Sequence, residues 1–199
     1  MLDFSTLADQ CNIAINLDVI ANIIKVESAY NPYAIGVVNG ILERQPRNID
    51  EAIATAKNLE SLGWNFSIGL GQINYSNLEK YNLSIESAFD PCSNLQATIA
   101  IYNDCLHRAS AIYDPSHAQL AAYSCYYSGN FTRGFVKENN KTSYVERVNN
   151  ASINSKPIPL KVRVGGHTKS SNDNLAHVRA IQKNAHVTKR SSIREIRGD

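Results

Sequence analysis

Residues 17–28 read Leu-Asp-Val-Ile-Ala-Asn-Ile-Ile-Lys-Val-Glu-Ser, and this stretch decides the fold. Its apolar residues recur at the spacing of a helix and form two stripes, one of Leu17, Ile20 and Ile24 and one of Val19, Ile23 and Val26. A helix that is apolar on most sides belongs in the centre of a fold. We expect it to begin after a cap at Asn16 and to end before Pro32, which pushes its predecessor out of helical geometry.

Glu27 interrupts this apolar pattern. It continues the face of Leu17, Ile20 and Ile24, where a charge is unfavourable unless it is paired or used. It also falls in the last turn, near the negative end of the helix dipole. Burial and the dipole both raise the pKa of a carboxyl, and a carboxyl that stays protonated near neutral pH can act as a general acid. Alternatively, Glu27 reaches solvent as the helix emerges, and periodicity alone leaves both interpretations open.

The rest of the first 150 residues is mostly helical in pattern. Asn39-Gly40, between aliphatic residues, predicts a small β-hairpin directly after the first central helix. Further helices are predicted after a cap at Asn48, after Ser93-x-x-Gln96 and after Ser116-x-x-Gln119. An Asp-Pro dipeptide, interpreted as a turn, precedes each of the last two. The expected fold class is therefore mostly α with one small β-hairpin.

Composition and charge divide the chain in two. Of its 199 residues, 43% are hydrophobic, which excludes a wholly disordered chain, and no apolar run approaches the roughly 18–20 residues of a membrane-spanning helix. Residues 1–150 carry a net charge of −5 and residues 151–199 one of +7. Helical periodicity also dissolves after Ala151. We predict a folded domain at 1–150 and a basic, disordered tail at 151–199.

Four cysteines lie in the first part: Cys11, Cys92, Cys105 and Cys125. They contain no C-x-x-C pair, and no histidine lies at metal-ligand spacing, so neither a metal nor a cofactor is predicted. The cysteines are either four buried thiols or two disulfides, and disulfides indicate an oxidising compartment. The first residues show no secretory signal, with neither a basic start nor an apolar stretch, and this conflicts with export.

Helix geometry restricts the disulfide pairing. If residues 93–107 form one helix, Cys92 and Cys105 lie about 20 Å apart, too far for a bond that needs Cα atoms within about 7 Å. Cys92 then pairs with Cys11 or Cys125. If residues 93–107 and 116–127 are antiparallel neighbours, Cys92 lies near Cys125, and this pairing is favoured.

Two further motifs carry polar groups. Residues 69–74 read Gly-Leu-Gly-Gln-Ile-Asn, in which glycines allow a close approach of backbone to ligand, and Gln72 and Asn74 offer neutral hydrogen bonds of the kind that sugars need. Residues 126–130 read Tyr-Tyr-Ser-Gly-Asn at the end of a predicted helix. Alone, each motif is weak, and Tyr127 alone is better explained by core packing.

Together and in order, these motifs resemble a known family. A Glu-Ser closing a helix, then Gly-Leu-x-Gln, then Tyr-x-x-Gly about a hundred residues later is similar to the lysozyme-like lytic transglycosylases of the soluble type. The resemblance covers about residues 5–135 and implies a lysozyme-like helical domain. Residues 31–38, 64–69, 89–92 and 124–131 further resemble the peptidoglycan-cleaving component of type IV secretion systems.

The resemblance implies a role for each matching residue. Glu27 would be the catalytic acid and base, and Ser28 its supporting hydroxyl. Gly69, Leu70, Gln72 and Asn74 would form the saccharide groove. Tyr126, followed by Tyr127, would hold either Glu27 or the N-acetyl group of the substrate. Two positions depart from the family: Gly71 replaces a Met that would pack on the ligand, and Tyr127 stands where Asn is usual.

The implied reaction uses one carboxylate. Glu27 would protonate the bond between N-acetylmuramic acid (MurNAc) and N-acetylglucosamine (GlcNAc), and then take the proton of the sugar's O6 hydroxyl, giving a 1,6-anhydro product. Glu43 and Asp50 remain candidates for a second carboxylate, which would instead favour hydrolysis by a lysozyme-type muramidase. A third alternative is a non-catalytic, glycan-binding assembly factor.

The resemblance also implies a setting. The partners would be peptidoglycan strands and other type IV secretion channel components, with no nucleic acid and no transmembrane segment. The location would be the periplasm, although no signal peptide is visible.

Overall fold

A computed structural model describes residues 4–13, 17–137 and 141–151. Asn16 and the predicted tail, apart from Ala151, lie outside the described residues. The helices are α1 Phe4–Gln10, α2 Leu17–Ser28, α3 Ile49–Ser61, α4 Ile85–Ala88, α5 Pro91–Ser110, α6 Pro115–Ser128 and α7 Tyr144–Asn150. The strands are β1 Ile35–Val37, β2 Phe66–Ile68 and β3 Ile73–Asn74, and three 3₁₀ turns span Tyr75–Asn77, Glu79–Tyr81 and Arg133–Phe135. The predicted mostly α fold with a small β element is confirmed.

Helix α2 lies in the core, as its pattern predicts. Ile23 and Ile24 are fully buried, and they share one hydrophobic cluster with residues of α5, α6 and α7. The helix ends at Ser28, and positive φ angles at Ala29 and Tyr30 then reverse the chain before Pro32. No helix of the described ranges is long and apolar enough to cross a membrane.

Helix α5 begins three residues earlier than predicted, and α6 begins two residues earlier. Their caps are Asp90 and Asp114, and a proline occupies the first helical position of each. A residue before proline is held extended, where an aspartate can accept the free N–H groups of the first turn. Ser93 and Ser116, the expected caps, lie inside the helices, where each hydroxyl donates to the capping carboxylate at 2.7 Å.

The three strands form one antiparallel sheet in the order β1-β2-β3. Asn39 adopts a positive φ of 59°, so the Asn-Gly turn is present, but it does not close the predicted hairpin. The partner of β1 is β2, with Ile35 opposite Ile68. Phe66 and Ile68 are fully buried whereas Ile41 is 96% exposed, so burial selects the later segment. The hairpin of the sheet is β2–β3, joined through residues 69–72.

Two disulfides, Cys11–Cys92 and Cys105–Cys125, hold the helices together, with Cα separations of 5.2 and 5.7 Å. The exclusion of Cys92–Cys105 is confirmed, but the favoured Cys92–Cys125 pair is wrong, and Cys92 takes the alternative partner Cys11. Cys125 lies beside Cys105 on α5. Because Cys92 and Cys105 are 13 positions apart along α5, Cys92 is far from Cys125 as well.

The two bonds are expected to contribute unequally to stability. They close segments of 81 and 20 residues, and the longer loop loses more unfolded-state entropy. Replacing Cys11 and Cys92 by Ser should lower the free energy of unfolding by about 1 kcal/mol more than replacing Cys105 and Cys125. Urea unfolding of the two double variants measures the difference. A peptide that links Cys92 to Cys125 in a non-reducing digest would contradict the pairing itself.

Candidate active site

A groove of about 670 Å³ lies where α2 ends, bounded by the sheet, α5, the end of α6 and the turn Arg133–Phe135. Five of the predicted site residues line it: Glu27, Gln72, Asn74, Tyr126 and Tyr127. The other three do not line it. Leu70 is 2% exposed in the core, Gly69 packs against α5, and the hydroxyl of Ser28 donates to the carbonyl of Ile24 at 3.2 Å.

The carboxyl of Glu27 is withdrawn from solvent at the edge of this groove. The side chain is partly buried, and the hydroxyl of Tyr144 donates a hydrogen bond of 2.5 Å to Oε1. Desolvation by burial raises the pKa of Glu27 to about 7, although the hydrogen bond from Tyr144 and the positive charge of Arg147 oppose this rise. A carboxyl with this pKa exchanges a proton near neutral pH, which suits acid and base catalysis.

Tyr144 contacts the candidate acid, and sequence reasoning did not identify it. It lies in α7, whose start is fixed by a capping box between Ser143 and Glu146. Its ring stacks on Tyr127, with centroids 4.6 Å apart and planes inclined by 16°, and the guanidinium carbon of Arg147 lies 5.8 Å from its centroid. The capping box is a sequence signal for this helix, but no signal in the sequence shows that it returns to α2.

The glycine-rich loop is shaped by packing on α5. Gly69 has a φ of 79°, and a Cβ there would overlap the side chain of Asn94. A Cβ at Gly71 would overlap the hydroxyl of Thr98 and crowd that of Tyr126. Buried Asn94 accepts the N–H of Gly71 at 2.8 Å and donates to the carbonyl of Ala88 at 2.7 Å. The glycines thus let the loop lie directly on α5. The side chains of Thr98 and Tyr126 fill the space beside Gly71.

The remaining predicted residues line the groove and also form hydrogen bonds within the protein. The amide of Gln72 donates to the carbonyls of Ala34 and Gly69 at 3.0 and 2.9 Å, which ties the start of β1 to the loop. Asn74 donates to Asn65 at 2.7 Å. The hydroxyl of Tyr126 donates to the carbonyl of Gly71 at 2.7 Å, so Tyr144 rather than Tyr126 holds Glu27.

The proposed second carboxylates lie elsewhere. Glu43 borders a separate depression with Arg44 and Glu51, and Asp50 is exposed in the first turn of α3. Of the described residues that line the groove, Glu27 is the only acidic one and Arg133 the only basic one. Within the described ranges, no three His, Cys, Asp or Glu residues are grouped to hold a metal ion.

Comparison with known proteins agrees with this geometry. Residues 6–149 match the family described as transglycosylase SLT domain. The chain is 48% identical over 164 residues to the type IV secretion system protein virB1 of Brucella suis biovar 1, covering 80% of this chain and 68% of that protein. It is 27% identical over 152 residues to the protein virB1 of Rhizobium radiobacter, covering 75% and 61%. No solved structure matches the chain significantly. The chain therefore belongs to the transglycosylase SLT domain family and is a peptidoglycan lytic transglycosylase.

Proposed function

We propose that Glu27 is the catalytic acid and base that cleaves the β-1,4 bond between MurNAc and GlcNAc in peptidoglycan. The observation that carries this proposal is the position of Glu27, the only acidic residue among the described ones that line the groove, with a pKa raised to about 7. At neutral pH a substantial fraction of Glu27 is protonated, so it can deliver a proton that an ordinary carboxylate lacks.

The reaction proceeds in two proton transfers. Glu27 gives its proton to the glycosidic oxygen as the bond to the anomeric carbon of MurNAc breaks, and the N-acetyl carbonyl of MurNAc assists at that carbon. The ionised Glu27 then removes the proton from the O6 hydroxyl of the same sugar, and O6 bonds to the anomeric carbon. The products are a free GlcNAc end and a 1,6-anhydro end, and Glu27 is again protonated.

Tyr144 positions Glu27 for both transfers. Its hydroxyl donates to Oε1, and in the proposed reaction Oε2 carries the acidic proton. Burial raises the pKa of Tyr144 well above its ordinary value, so the phenol stays a donor throughout. The same hydrogen bond stabilises the ionised form of Glu27, which limits the rise of its pKa. The stack on Tyr127 holds the ring of Tyr144 in place. This gives Tyr127, where the family usually has Asn, a role in orientation.

The cellular role follows from the relatives. We propose that this enzyme opens the cell wall locally for a type IV secretion system, because the Brucella relative is named a type IV secretion system protein. In this proposal it works in the periplasm beside other channel components. Two disulfides support an oxidising compartment. We further propose that residues 1–150 form the catalytic domain. Hydrolysis and non-catalytic binding are less well supported, because Glu43 and Asp50 lie outside the groove and Glu27 is present in it.

Replacing Glu27 with Gln should abolish release of soluble muropeptides, because an amide cannot deliver the proton.

The Glu27→Gln variant should also be more stable than the wild type above pH 7. A carboxyl whose pKa is raised on folding destabilises the fold once it ionises, and this penalty grows as pH rises from about 4.5 to 7. Melting temperatures at pH 5 and pH 8 test the stability difference, which should be larger at pH 8.

For the activity prediction, Glu43→Gln and Asp50→Asn are the matched controls and should retain activity. Wild-type turnover by folded Glu27→Gln would overturn the assignment.

Replacing Tyr144 with Phe should raise the pKa of Glu27 above about 7, because the hydrogen bond that stabilises the carboxylate is lost. The alkaline limb of the activity profile should move to higher pH, and the maximal rate should fall about tenfold as the base form loses its positioning partner. A ¹³C NMR titration of the Glu27 carboxyl measures the pKa directly. Tyr30→Phe removes a comparable hydrogen bond, donated to Ala21 of the same helix, and should leave the titration of Glu27 unchanged.

The products should carry 1,6-anhydro ends, each lighter by one water than a hydrolysed end. A hydrolysing glycosidase places a second carboxylate roughly 5–9.5 Å from the acid, whereas MurNAc itself supplies both the assisting carbonyl and the attacking hydroxyl. Mass spectrometry of muropeptides formed in ¹⁸O water tests this outcome. Reducing ends that contain the heavy isotope would mean that water is the nucleophile, and Glu43 and Asp50 would then need reconsideration.

A further inference from the structure

Among the described residues that line the groove, Arg133 carries the only positive charge and Glu27 is the only acidic one. The side chain of Arg133 is exposed. No described residue accepts a hydrogen bond from its guanidinium or forms an ion pair with it. By contrast, the nearby Arg108 pairs with Asp104 and contacts a disulfide sulfur. The guanidinium of Arg133 thus has all its donors available to a ligand in the groove.

The backbone that carries Arg133 is firmly held. The side chain of Asn130 accepts the N–H groups of Thr132 and Arg133 at 3.1 and 2.8 Å. The hydroxyl of Ser124 donates to the carbonyl of Asn130 at 2.9 Å and accepts the N–H of Gly134 at 2.8 Å. Gly134 lies so close to Ser124 that a Cβ there would overlap its backbone. The turn is therefore fixed against α6, and Arg133 is presented from a rigid base rather than from a mobile loop.

The proposed substrate offers a complementary charge on one of its two sugars. GlcNAc is neutral, whereas MurNAc carries a lactyl group that ends in a free carboxylate or continues into a stem peptide that bears carboxylates. Arginine binds carboxylates through two parallel hydrogen bonds, and this geometry discriminates between ligands better than a point charge does. A single cation in the same groove as Glu27 can therefore distinguish the two sugars of an alternating strand.

We propose that Arg133 is a specificity-determining residue that binds a carboxylate borne by MurNAc, either the lactyl carboxylate or one of the stem peptide. This inference rests on the proposed function, because it assumes that a peptidoglycan strand occupies the groove. Arg147, rather than Arg133, is the cation whose charge acts on Glu27. Arg133 is therefore expected to affect substrate binding and not the protonation of the acid.

Three forms of one glycan strand distinguish binding of the lactyl carboxylate from binding of a stem-peptide carboxylate. They are strands that carry peptides, strands stripped by an amidase so that only lactyl carboxylates remain, and stripped strands whose carboxylates are converted to neutral methylamides. KM, kcat and the pH profile are measured for the wild type, for Arg133→Ala and for Arg47→Ala. Arg47 is also exposed, lies outside the groove, and its backbone N–H continues to bind Glu51 in the variant. Binding of each strand is measured separately in the Glu27→Gln background, so the test does not depend on turnover.

Arg133→Ala should raise KM for charged strands about five- to tenfold, with kcat and the pH profile unchanged, and added salt should shrink the difference. The neutral strands should bind the variant and the wild type equally. An effect confined to peptide-bearing strands assigns the carboxylate to the stem peptide, and an effect that persists on stripped strands assigns it to the lactyl group. Equal losses on neutral strands, or no loss on any strand, would overturn the proposal. Failure of the wild type to cleave, with the binding difference intact, would instead count against the proposed function.

Discussion

The hydrogen bond from Tyr144 to Glu27 joins residues that are 117 positions apart, and the site depends on it. Glu27 ends a helix whose other inward residues are aliphatic, near the negative end of the helix dipole. In the folded domain α7 covers that end, and the amino group of Lys25 also reaches across to the carbonyl of Ala151 at 2.9 Å. Without α7, Glu27 would lose this hydrogen bond and the nearby charge of Arg147, both of which act on its pKa. The closing helix therefore tunes the acid as well as holding it.

The opposite wall of the groove is built on α5. Asn94 is fully buried in that helix and satisfies both its donor and acceptor groups on the backbone of the β2–β3 region and of α4. A buried amide is tolerable only when its hydrogen bonds are made, so Asn94 specifies where the loop must lie. The loop in turn accepts the hydroxyl of Tyr126, which connects the sheet side of the groove to α6. The disulfide Cys105–Cys125 ties α6 to α5, so both walls share one frame.

Residues whose roles are local could be predicted from the sequence. The apolar stripes of α2 placed Ile23 and Ile24 in the core, and the charge at Glu27 was conspicuous because it broke that pattern. Tyr144 and Asn94 act on residues far away in the chain, and neither periodicity nor capping signals report such contacts. The disulfide pairing failed for a similar reason: helix length excluded one pair, but no local pattern shows that Cys125 of α6 lies beside Cys105 of α5. The Asn39-Gly40 turn formed, yet its expected partner strand lost to Phe66 and Ile68, which bury more apolar surface.

A groove lined by one acidic residue among those that the structure describes places an unusual demand on that residue. In a glycosidase with two carboxylates, one stays protonated and the other stays ionised, so their pKa values are held apart. In the proposed reaction a single group donates a proton and then accepts one, and a pKa of about 7 makes both forms accessible near neutral pH. Burial alone would favour the protonated form of Glu27 too strongly. A fully ionised Glu27 could act only as a base. Tyr144 and Arg147 lower the pKa that desolvation raises, and the balance between these opposing effects is what allows one carboxyl to serve both steps.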